Sequence, residues 1–190
     1  MNPMILRAAT AALCALSLAG CVDSADPILA DSQPVFGERL KLQLYTLDKG
    51  YAREPVQVTY AWNGGLYTHA GGGLREVSAF SVHPFEGGDY IIQTVSGKKA
   101  LAAEYALMHK LADGVYRVNA IDEADADEQT RVAYCKRLDR AACRIATREQ
   151  LFAFARATAA RNKEDGGLVI RLPDGSTPRE TKRRVPAVRR

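Results

Sequence analysis

The chain has no Cys-x-x-Cys pair, no Gly-x-Ser-x-Gly elbow, no Gly-x-x-x-x-Gly-Lys-Ser/Thr loop, and no apolar run approaching the length of a bilayer. Each absence removes a class. A spanning helix needs about 20 consecutive apolar residues; a thioredoxin-like redox centre needs the close cysteine pair; an α/β-hydrolase needs the elbow and a nucleotide-binding P-loop its glycines and lysine. Histidine is scarce, at 3 in 190 residues, and cysteine nearly so, at 4. With 47% hydrophobic and 25% charged residues, the remaining composition is that of an ordinary globular domain. One domain is the natural count for this length.

What is present begins with a leader. Arg7 is followed by an Ala- and Leu-rich apolar stretch from Ala8 to Ala19, the length of a secretory core segment. It closes on Leu18-Ala19-Gly20-Cys21. This resembles the lipobox of bacterial lipoproteins, in which the cysteine receives a diacylglyceryl group before the signal is removed. The resemblance covers residues 1–21 and implies lipidation at Cys21, with a membrane as partner through acyl chains such as palmitate. Several chains hold a protein far more firmly than one. Position 22 is Val rather than the Asp associated with inner-membrane retention, so the resemblance implies the outer membrane, with the mature chain facing the periplasm.

Cysteine usage follows from that compartment. Cys14 leaves with the leader and Cys21 carries lipid, so Cys135 and Cys143 remain as a pair in an oxidising space and are expected to form a disulfide. Their spacing is not that of a zinc site. Residues 21–34 contain Asp23, Ser24, Asp26, Pro27, Ser32 and Pro34 and read as a flexible tether. Residues 173–190, with Pro173, Pro178, Pro186 and a large excess of Arg and Lys, read as a basic disordered tail. Such a tail suits an envelope protein or an anionic cell-wall polymer, or serves only solubility. The compartment excludes nucleic acid.

Between them, residues 35–172 read as a mainly β domain with a C-terminal helix. Leu40, Leu42 and Leu44 alternate with polar residues, as do Val56, Val58, Tyr60 and Trp62. Three hairpins follow, each turning at Gly-x-Tyr: Gly65-Leu66-Tyr67, Gly88-Asp89-Tyr90 and Gly114-Val115-Tyr116. The predicted fold is an antiparallel meander of about seven strands, closed into a small barrel or strongly curled. A tyrosine two places after each turn glycine points to a constant face of its hairpin. Tyr67, Tyr90 and Tyr116 read first as rings that cover the rim of the core, a ligand-stacking platform being the alternative; with the loop Gly71, Gly72 and Gly73 they are the candidate binding surface.

Five carboxylates between Asp122 and Glu128 precede a predicted helix over Gln129 to Leu138, where a positive helix end suits them; they lack the order of a calcium loop. Thr147 and Gln150 form a capping box, followed by Leu151, Phe154, Ala155 and Thr158 at helical spacing. Leu168-Val169-Ile170 is a short closing strand or a loose apolar segment. His69, His83 and His109 have no ligand-spaced partners apart from Glu86 near His83, so no metal site, catalytic residue or cofactor is assigned. A lipid-anchored binding or structural module is the expectation, with an envelope enzyme as the distant alternative. A small β-meander lipoprotein with one disulfide loosely resembles the membrane-bound lysozyme inhibitors. That resemblance is architectural, implies inhibition of a cell-wall-degrading enzyme, and carries no residue across.

Overall fold

Alternating apolar residues place Leu40, Leu42 and Leu44 on one face of β2 (Arg39–Asp48), and all three are buried. The same period-2 logic builds β4 (Val56–Asn63), β5 (Leu66–His69), β6 (Ala79–Pro84), β7 (Tyr90–Val95), β8 (Ala103–Ala112), β9 (Val115–Ala120) and β10 (Gly167–Arg171). In this computed structural model the described residues are 22–30, 32–48, 51–52, 54–69, 79–95, 103–135, 143–161 and 167–173. Two short strands, β1 (Asp23–Ser24) and β3 (Tyr51–Ala52), and two helices, α1 (Glu128–Tyr134) and α2 (Arg148–Ala160), complete the elements discussed below.

The wall is an eight-stranded antiparallel barrel, in the order β2, β4, β5, β6, β7, β8, β9, β10 and back to β2. The Leu168-Val169-Ile170 segment closes it. Ile170 lies opposite Leu44 of β2 on one side and opposite Tyr116 of β9 on the other. β3 extends β2, and β1 adds to β8. Closure satisfies edges that an open sheet would leave for association.

One end of the barrel carries the tight turns. Gly64 and Gly65 adopt φ of 56° and 94°, as a two-residue hairpin loop requires. A turn at Val35–Gly37 plugs this end: the Phe36 ring packs on Tyr90 and Tyr116 at centroid distances of 5.3 and 6.0 Å. The Tyr67 hydroxyl accepts from the Phe36 N–H at 3.1 Å and donates to the Gly37 carbonyl at 3.0 Å. The other end is where β1 joins β8.

β6, β7 and β8 are buried on both faces. Inside lie Val82, Ile92, Ala106 and Met108. Outside, a second core forms between Ile91, Leu107 and α2, whose Leu151, Phe154, Ala155 and Thr158 are buried at the expected helical spacing. The capping box at Thr147 and Gln150 is present. The disulfide joins Cys135, at the end of α1, to Cys143, with Cα atoms 4.9 Å apart. Closing so short a loop restricts the unfolded chain, so its removal should cost about 2–3 kcal/mol. Mass spectrometry of unreduced protein should find no alkylatable thiol at either position, and a Cys135→Ser, Cys143→Ser variant should show a lower urea midpoint.

The tether expectation needs correcting for its first part. Val22 is fully buried and Leu29 nearly so, and β1 is laddered to β8. The Val22 N–H donates to the Ile121 carbonyl at 3.0 Å, and the Asp23 N–H to Cys143 at 3.2 Å. Gln93 clamps Leu29, accepting its N–H at 2.9 Å and donating to its carbonyl at 3.1 Å. Two apolar side chains and a set of satisfied backbone groups are enough to bind a segment of turn-forming composition to the wall. Residues 22–30 are a strap.

Candidate functional site

The tyrosines named as a candidate surface are 0%, 8% and 1% exposed at Tyr67, Tyr90 and Tyr116. They face the barrel interior and surround Phe36, so they belong to the plug and do not form a surface. Burial, reinforced by the neighbouring Tyr116 phenol, pushes Tyr90 up to about 12. Gly71, Gly72, Gly73 and Cys21 lie outside the described residues.

The histidines are brought to three different places. His69 stands edge-on to Tyr60, with ring centroids 5.8 Å apart. His109 pairs through Nδ1 with Asp89 at 2.8 Å, and the other Asp89 oxygen accepts the Lys110 N–H at 2.9 Å. His83 lies beneath the strap, its Nε2 2.8 Å from Ser81 Oγ. A serine and a histidine at that distance have the spacing of a nucleophile and its base, yet Ser81 is 1% exposed. Burial, and then the Arg148 cation, hold His83 down at about 4, so the ring is neutral at pH 7. In a catalytic triad a carboxylate orients and charges the histidine; a nearby cation does the reverse. Gln93 Nε2 also reaches Ser81, at 3.4 Å, which makes this pair part of the polar network that fixes the strap.

Two of the five carboxylates between Asp122 and Glu128 act as caps. Asp122 accepts the Ala124 N–H at 2.8 Å and Asp127 the Thr130 N–H at 2.7 Å. The Glu123 carboxylate lies within 4.8 Å of Cys135 and Cys143. Those sulfurs are committed to the disulfide and offer no thiolate.

Two spaces remain. The barrel interior holds a cavity of about 60 Å³, walled by Leu40, Leu44, Phe80, Ile92, Met108 and Ile170. Ligand pockets run from about 300 Å³ upward, so this is a packing void. The second space is a groove of about 650 Å³ on the outside, between the strap at Ser24–Ile28, Tyr134 of α1, and the approach to α2 at Arg144–Gln150. Pro27, Ile28, Tyr134 and Ile145 give it apolar walls; Arg144 and Arg148 put two guanidinium groups on it, and Asp26 a carboxylate. Arg144 Nε is 3.5 Å from Asp23, and Arg148 lies over the Phe152 ring at 4.8 Å. Both remain exposed.

The groove joins stretches more than 100 residues apart, and nothing in the sequence reading pointed to it. The one local trace was the capping box, which located the start of α2 and hence the positions of Arg144 and Arg148 beside it. Comparison of the chain with protein-family models, with curated proteins and with solved structures returned no match.

Proposed function

We propose that the protein is a lipid-anchored envelope binding module, attached to the outer membrane through Cys21 and facing the periplasm, and that the groove between strap and α2 is its binding site. The groove carries this proposal: its volume lies in the range of ligand sites, and its walls combine apolar contact with two guanidinium groups, one of them beside Asp23, and the carboxylate of Asp26. Binding is favoured over catalysis because His69, His83 and His109 are dispersed and His83 is buried beside a cation. The barrel then serves as a rigid wall on which the strap and α2 are mounted.

Two measurements test this. Palmitate labelling should occur in the wild type and vanish in Cys21→Ala, with loss of signal processing at that site. A photo-crosslinking residue placed at Ala146, in the groove, should capture an envelope component in whole cells. The same residue at Gln57, exposed on the opposite wall, should not. Equal capture at both positions, or at neither, overturns the groove as the site.

A further inference from the structure

We infer that the groove holds the phosphate headgroup of an anionic phospholipid belonging to the membrane in which the chain is anchored. This rests on the lipid anchor at Cys21 proposed above and names the ligand class of the same groove. The strap makes the inference geometric. Cys21 directly precedes Val22, whose backbone is bonded to Ile121 and whose side chain is fully buried. No slack therefore separates the anchor from the folded wall. Ser24, on the groove rim, is three residues beyond Cys21. A chain advances at most about 3.6 Å per residue, so the rim lies within about 11 Å of the acylated position. The headgroup layer on each side of a bilayer is about 5–8 Å thick. A groove so close to the point of acylation sits at headgroup level.

Its chemistry suits that depth. Arg144 and Arg148 supply planar, permanently charged donors of the kind that grip phosphate oxygens. Thr147 is exposed in the same space and suits a glycerol hydroxyl, while Pro27, Ile28, Tyr134 and Ile145 suit the first carbons of an acyl chain. On α1, Val132 is 77% exposed, an apolar side chain directed outward on the helix that leads to Cys135 at the disulfide. The Asp23–Cys143 backbone bond and the disulfide make the strap and the end of α1 contiguous, which puts the groove beside the anchored end of the chain.

The test uses the lipidated full-length mature protein in nanodiscs of zwitterionic phosphatidylcholine, with increasing phosphatidylglycerol, read by amide hydrogen exchange. Phosphatidylglycerol should slow exchange in peptides covering 24–28 and 143–150. In an Arg144→Gln, Arg148→Gln variant, the phosphatidylglycerol content needed for half-maximal protection should rise about tenfold or more, since each cation near an anionic surface contributes about 1 kcal/mol and 1.4 kcal/mol is tenfold. Both guanidiniums are exposed, and an unchanged urea midpoint will show that the fold survives. Equal protection by inorganic phosphate in neutral nanodiscs would show a general anion site and overturn the lipid assignment. Protection retained in the double variant would assign the attraction to other cations, among them those of residues 173–190, and overturn it as well. Absence of protection overturns it while leaving the binding module intact. Absence of palmitate label at Cys21 removes the anchor itself, and the inference falls together with the reading it rests on.

Discussion

Replacing Phe154 by Ala should destabilise the protein by about 3–5 kcal/mol, the range for emptying a fully buried aromatic site. Phe154 is 0% exposed and lies in the outer core with Leu151, Leu107 and Ile91. The barrel wall cannot collapse into the space, because β7 and β8 are held from the inner side by Ile92, Ala106 and Met108. Domains of this size are stable by only about 5–15 kcal/mol, so the variant should show a sharply lowered urea midpoint by circular dichroism. Phe152 is only half-buried on the same helix. Phe152→Ala should cost markedly less, and equal losses at the two positions would refute the assignment of α2's buried face.

Stability should also fall by roughly 3 kcal/mol between pH 6.5 and pH 4 through one group, His83, since each unit of pKa displacement corresponds to about 1.4 kcal/mol. The folded ring titrates near 4 and the unfolded one near 6.5. Above 6.5 neither state binds the proton and the contribution is fully present. As the pH falls toward 4 the unfolded chain takes up a proton that the buried ring refuses, so unfolding becomes easier. Below about 4 both states are protonated and the slope from this group ends. Substitution by Gln, which can still hydrogen-bond Ser81, should flatten this part of the profile. A His83→Gln profile parallel to the wild type would show that other groups carry the acid sensitivity.

The barrel was legible wherever one face of a strand is solvated. Leu40, Leu42 and Leu44 alternate cleanly because Lys41 and Gln43 between them face outward. The capping box at Thr147 and the stripe that follows it were legible for the same reason, since α2 has one wet face. Legibility failed where structure covers both faces. From Tyr105 to Met108 four consecutive residues are buried, two toward each core, and no periodicity distinguishes them. The strap was missed because Val22 and Leu29 are diluted among turn-forming residues, and what fixes them is the side chain of Gln93, some 64 residues away from Leu29. The groove inherits that difficulty, being bounded by the strap on one side. Closure at β10 was left open in the sequence because Leu168-Val169-Ile170 is three residues long and its partners are distant.

That seam bears on how the protein is made. β2 must wait for β10, with residues from Leu44 to Ile170 between the strands that finally meet. Synthesis runs from the amino end, so every intermediate before Arg171 is in place leaves one edge of β2 and one of β9 unpaired, and open edges invite pairing with other chains. Contacts of such long range also make closure slow. The final strand therefore acts as a latch: until it seats, the nascent barrel is the kind of client that chaperones and proteases recognise, and once it seats, both vulnerable edges disappear in one event.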